Sequence, residues 1–177
     1  MQFDLFSPWD AWRVKTQRGK HTIIAKIDTG ASLTLVGIKH AKVLGLDVSF
    51  NINQPCVNYS GVSGKADGYA FKVSCDSLPL GNEQLICPFV YVPFEYVVDE
   101  HGKNDKIRFI TADKYLIGTD ILNHYNMDVS FIKKISNKIS EVKLTLTAHG
   151  LSYDPAIMKK DLTFRKLFPQ INELELD

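Results

Sequence analysis

A mostly β domain with two or three short helices is the fold class the sequence predicts, on three observations. Runs rich in β-branched and aromatic residues, such as His21 to Ile27 and Gln84 to Val92, are bounded by residues that favour turns. Met127 to Ile132 and Val142 to Thr147 alternate polar with apolar residues, the period of a strand with one wet face. Helix-compatible stretches are short and stand between these runs.

Trp12 to Thr16 and His21 to Ile27 flank Gln17-Arg18-Gly19-Lys20 and predict a hairpin that delivers the chain to Asp28. Ile38 to Gly45 is long enough for about two helical turns, with Gly45 as the stop. Val57 to Gly64 and Gly68 to Ser74 predict a second hairpin with a glycine-rich tip. Gln84 to Val92 predicts one strand, and the more polar Glu95 to Asp113 a loop or insertion. Tyr115-Leu116-Ile117-Gly118-Thr119-Asp120-Ile121-Leu122 predicts a buried strand, a tight glycine and a short helix capped by Thr119 or Asp120. A hairpin over 127–147 turns at Ser136-Asn137, and Pro155 and Pro169 bracket a short helix around Ile157 to Phe168. No internal repeat or low-complexity tract is visible.

The 177 residues, 45% of them hydrophobic, suit one globular domain with an appendage. The expected division is a domain over 1–147 and a C-terminal extension over 148–177. Lys plus Arg number 21 and Asp plus Glu 20, so no charge excess points to nucleic acid or an anionic membrane. Lys133-Lys134 and Lys159-Lys160 read as solvated faces. No run approaches the roughly 18 apolar residues of a membrane span, and Asp4 stands where a secretory signal would be basic or apolar. Cys56, Cys75 and Cys87 lack zinc-ligand spacing and read as reduced thiols of a cytoplasmic protein, a bridged pair being the alternative. The histidines at 21, 40, 101, 124 and 149 are scattered without ligand spacing, and neither a metal nor another cofactor is expected. No serine or cysteine lies in a nucleophile-elbow pattern.

Ile23 to Gly37, IIAKIDTGASLTLVG, sets one carboxylate, Asp28, at the end of an apolar run and follows it with small residues. A buried carboxylate is costly unless it is paired or hydrogen-bonded. Asp28 therefore needs partners, and it is the candidate for chemistry.

Asp28-Thr29-Gly30-Ala31-Ser32 after an apolar strand, Gly61-Val62-Ser63-Gly64 at a hairpin tip, a further apolar strand, and Leu116-Ile117-Gly118-Thr119-Asp120-Ile121-Leu122 occur in that order. In that order they resemble the retropepsin-like aspartic proteases, over roughly residues 10 to 147. The resemblance implies the acid-protease fold, a closed, barrel-like half of a pepsin with short helices, and an endopeptidase that hydrolyses extended polypeptides. Such chemistry needs two carboxylates sharing one proton. With one Asp-Thr-Gly in the chain, the second carboxylate comes from another copy, in a homodimer whose two-fold axis passes between two Asp28 side chains.

The same resemblance assigns roles. Asp28 is catalytic. Thr29 bonds across the axis, Gly30 allows close approach, and Ala31 and Ser32 support the loop, with Ala31 standing where pepsins usually carry Ser. Gly61, Val62, Ser63 and Gly64 form a flap over substrate. Ile117, Gly118 and Asp120 form the structural second motif, Asp120 favouring the helix start rather than catalysis. The loop from Glu95 to Asp113 and the tail after Thr147 depart from the compact viral enzymes and place the likeness nearer cellular, especially bacterial, members.

Blander readings stand beside these. Asp28-Thr29-Gly30 is also what a plain strand-to-turn junction looks like, and Gly61 to Gly64 what an ordinary hairpin tip looks like. A retropepsin-like module for binding or dimerisation, its chemistry silent or latent, is the alternative function. A ligand-binding β-barrel unrelated to proteases is a third.

Overall fold

The computed structural model describes residues 1–6, 12–60, 67–98, 105–110, 114–133, 139–149 and 162–171. In chain order the elements begin with β1 (Gln2–Leu5), β2 (Trp12–Arg18), β3 (His21–Ile27), β4 (Leu35–Val36) and α1 (Ile38–Val43). There follow β5 (Pro55–Ser60), β6 (Asp67–Ser74), β7 (Ser77–Leu80), β8 (Glu83–Ile86), β9 (Phe89–Val98) and β10 (Asp105–Phe109). The remainder comprises β11 (Tyr115–Ile117), α2 (Thr119–Leu122), β12 (Tyr125–Lys133), β13 (Ile139–Ala148), β14 (Leu162–Thr163) and α3 (Phe164–Leu167). The protein is thus mostly β with short helices, as its sequence predicts. No helix among the described residues is long and apolar enough to cross a membrane.

The chain divides into two compact units, the first formed by 1–35, 76–88 and 114–153, the second by 36–75, 89–113 and 154–177. In the first, β2 and β3 form the expected hairpin, turning at Gly19, whose φ of +58° suits glycine. β11 lies parallel to β3, with Leu116 opposite Lys26 and Ile117 opposite Ile27. A second sheet runs β1-β13-β12. Val14, Ile23, Ala25 and Ile27 point inward from the hairpin, and Leu78, Leu80, Leu85, Ile117, Leu144 and Leu146 are buried with them. Burying each such side chain contributes about 1.5–3 kcal/mol. One polar group in this core, Thr16, is fully buried and satisfied: its Oγ1 accepts the Gly81 N–H at 2.8 Å.

The second unit is built on β9. It pairs with β6 on one side and β10 on the other, and β6 in turn pairs with β5. Its core is aromatic: the Phe71 ring lies 4.2 Å from Phe50 and 4.3 Å from Phe94, both stacked. After β13, β14 pairs with β5, and α3 with the residue that follows it adds the buried Phe164 and Phe168 to this cluster. α1 ends where Gly45 turns with φ +75°, its amide donating to the Lys42 carbonyl while that of Leu46 reaches Ala41.

Four expectations change. Gln84 to Val92 is two strands, because Cys87-Pro88 interrupts it; β8 folds back on β7 through a turn at Gly81, φ +58°. In the segment expected as a loop from Glu95 to Asp113, of which 99–104 and 111–113 lie outside the described residues, β9 runs on to Val98 and β10 returns beside it. The helix drawn from Ile157 to Phe168 is reduced, among the described residues, to α3, which follows β14 and is capped by the Thr163 hydroxyl accepting from Lys166 N–H. Finally, no sheet closes into a barrel among the described residues; a single bridge, Phe6 to Arg13, is all that continues β1 onto β2, so the edges do not zip together.

Candidate functional site

Asp28 follows β3, in the first unit. Its amide donates to the Ile117 carbonyl at 3.0 Å, one step beyond the β3–β11 ladder, so the parallel pairing fixes where the carboxylate emerges. The next residues turn at once. Gly30 N–H donates to Asp28 Oδ1 at 3.0 Å, and Ala31 N–H to the Asp28 carbonyl at 3.3 Å. A Cβ at Gly30 would lie 3.3 Å from that same Oδ1 and push on the carboxylate. Oδ2 faces the Lys26 ammonium at 3.6 Å, and the Asp28 side chain keeps 25% of its exposure. The carboxylate is thus held by an amide and a cation yet open to solvent.

What holds the loop lies across the chain. The Ala31 carbonyl accepts from both the amide and the hydroxyl of Thr119, at 2.8 and 3.1 Å. Thr34 is fully buried and makes three bonds. Its hydroxyl donates to Asp120 Oδ1 at 2.6 Å and accepts from Gly118 N–H at 3.0 Å, while its amide donates to Asp120 Oδ2 at 3.0 Å. Asp120 Oδ1 also accepts from Ile121 N–H at 2.9 Å. Burial pushes the Asp120 carboxyl above the ordinary carboxylate value, and the bonds from Thr34 and Ile121 pull against that rise.

Gly118 is required here by space. A Cβ at that position would sit 2.5 Å from the Leu33 carbonyl oxygen and 2.9 Å from that of Ala31, closer than atoms approach. Ile117, the last residue of β11, is fully buried beneath the loop's start. One expectation changes here: the N-cap of α2 is neither Thr119 nor Asp120. Gly118 is the N-cap, with no side-chain bond, and Asp120 lies in the first turn, where its Oδ1 accepts from Ile121 N–H and both its oxygens accept from Thr34.

Asp28, Ala31, Ile117, Gly118 and Asp120 are thus brought together. Thr29, Gly30 and Ser32 are exposed on the loop's outer side, and the loop is held through Ala31 and Thr34 rather than through Ser32. Gly61, Val62, Ser63 and Gly64 lie outside the described residues; the strands leading to them, β5 and β6, pair antiparallel as far as Ser60 and Asp67.

Sequence reasoning missed two residues. Thr34 reads as one more polar position in Ser32-Leu33-Thr34, and its partners lie more than 80 residues away. Lys26 carried a signal: along β3 the buried Ile23, Ala25 and Ile27 alternate with Ile24 and Lys26, which places Lys26 on the face from which Asp28 emerges. Among the described residues Cys56, Cys75 and Cys87 form no disulfide, and no three His, Cys, Asp or Glu side chains gather as a metal site would need. Comparison with protein-family models, with curated proteins and with solved structures finds no match to this chain.

Proposed function

We propose that the chain is a retropepsin-like aspartic endopeptidase, active as a homodimer in which two Asp28 carboxylates form one site. The observation that carries the reading is the pair of bridges from Ala31 and Thr34 to Thr119 and Asp120. Two stretches singled out separately in the sequence, more than 80 residues apart, form one hydrogen-bonded unit around an accessible aspartate. An ordinary strand-to-turn junction has no need of that support.

In this mechanism an ionised Asp28 takes a proton from a water as its oxygen attacks the peptide carbonyl carbon. The protonated Asp28 of the second copy gives its proton to the carbonyl oxygen, leaving a tetrahedral diol. Collapse of the diol breaks the C–N bond, the nitrogen leaves with a proton, and the pair again holds one. The Gly30 amide orients one oxygen of the carboxylate, and the Ile117 carbonyl fixes the backbone behind it.

Replacing Asp28 with Asn tests the proposal, since Asn is nearly isosteric but cannot cycle a proton. Cleavage of an unfolded polypeptide should fall by about 10²- to 10⁴-fold with thermal unfolding and dimer mass unchanged. A hydroxyl-bearing mimic of the tetrahedral state should block the wild type. Cleavage persisting in Asp28→Asn would refute the assignment; binding of the mimic without cleavage would leave a binding module.

A further inference from the structure

The strands that deliver Asp28 have two unlike faces. Val14, Thr16, Ile23, Ala25 and Ile27 fill the buried one. The ladder sets Arg13 opposite Lys26 and Lys15 opposite Ile24, so these four share the other face, since opposed residues of neighbouring strands point the same way. Leu116 of β11, opposite Lys26, joins them. Three of these strand positions carry cations and none an acid, and Asp28 follows them on the same side.

The cations differ in their setting. The Lys15 ammonium stands 5.3 Å from the centre of the Phe6 ring. Lys26 reaches the end of β3, 3.6 Å from Asp28 Oδ2, with 44% of its side chain exposed. An ammonium has three donors, so one turned to Asp28 leaves others for a group arriving from solvent. Beside it Ile24, also 44% exposed, offers apolar surface.

Any polypeptide presenting a carbonyl to Asp28 must bring its neighbouring side chains past Lys26. We propose that Lys26 is a specificity-determining residue that selects extended polypeptides carrying Glu or Asp within a residue or two of the bond presented to Asp28. Lys15 extends the preference along the same face. The position of the scissile bond rests on the peptidase reading; the preference for an acidic segment rests on the face alone. Opposite charges at this exposure are worth a few-fold, and a basic residue in the same place is disfavoured by a similar factor.

Three labelled peptides identical except for Glu, Gln or Lys beside one bond, each also made with an uncleavable reduced amide at that bond, provide the test. Fluorescence anisotropy of the uncleavable set and kcat/KM of the cleavable set should both favour Glu over Gln by about threefold to fivefold at low salt. The preference should shrink as salt rises. In Lys26→Met the Glu-to-Gln ratio should approach one, and in Lys26→Glu the order should invert toward the Lys peptide. Each ratio is taken within one protein, so a change in absolute rate does not affect it, and the wild type's own ratio and salt dependence stand even if a variant misfolds. A wild-type ratio near one, or a ratio unmoved in Lys26→Met, overturns the inference. Peptides cut without charge preference would sink this inference and leave the peptidase reading standing; peptides bound with the preference but never cut would do the reverse. Peptides neither bound nor cut would remove both.

Discussion

Asp120 is one of the two carboxylates the sequence set beside a glycine, and the environment around each assigns a different task. Asp28 stays accessible, held by one amide and the Lys26 ammonium. Asp120 spends its oxygens on Thr34 and Ile121 and sits where burial raises its proton affinity. Because its folded-state value is raised, the folded chain binds more protons than the unfolded one just above the ordinary carboxylate value, and stability from this group is lost as pH rises through that window. In Asp120→Asn the amide group must turn its NH2 toward one of three donors, leaving a donor facing a donor. We expect a loss of about 1–3 kcal/mol in urea unfolding. The gap between wild type and variant should be widest in acid and should narrow as pH rises through that window, since the other carboxylates cancel in the difference. A gap that widens with pH would show that the bonds from Thr34 outweigh burial.

At the scale of elements, the clamp depends on β11 and the loop after β3 touching backbone to backbone. Gly118→Ala puts a methyl 2.5 Å from the Leu33 carbonyl oxygen, so the loop itself must move. Overpacking of this kind costs about 1–3 kcal/mol, and because the displaced segment carries Asp28, activity should fall further than stability does. Thermal unfolding and kcat/KM measured on the same preparation check this; a variant with lowered stability and intact turnover would show that the loop's position does not set the carboxylate's.

The same elements show what the sequence could disclose. Turns at Gly19 and Gly45 were legible because each needs a backbone conformation that glycine favours, and the 127–147 hairpin because one of its faces is wet. β7 was missed: Ser77-Leu78-Pro79-Leu80 is four residues with a proline, and only its pairing with β8 makes it a strand. β10 was hidden in a polar stretch whose alternate residues Ile107 and Phe109 are buried only because β9 runs past Pro93 to meet them. At the site, Asp28 and Gly118 stood out by type and place. Thr34 did not, for nothing local marks a threonine whose hydroxyl joins two segments.

Considered as a whole molecule, the proposed enzyme needs two copies, because one chain brings one Asp28 and its chemistry needs two carboxylates and one proton. Activity per chain should therefore fall on dilution as dimers separate. Subunit mixing makes a sharper test. If wild-type and Asp28→Asn chains are mixed in equal amounts and allowed to exchange, roughly a quarter of the dimers are wild type on both sides and roughly half are mixed, for an isologous pair. A shared site leaves mixed dimers inactive, since an amide facing one carboxylate cannot pass the proton back, so activity should drop to roughly a quarter of that of the same total chain as wild type. Independent sites would leave roughly half. Activity that stays at half after exchange, or an active monomer at every concentration in sedimentation, would mean that Asp28 works without its mate, and the two-fold site would have to be abandoned even if Asp28 itself proved essential.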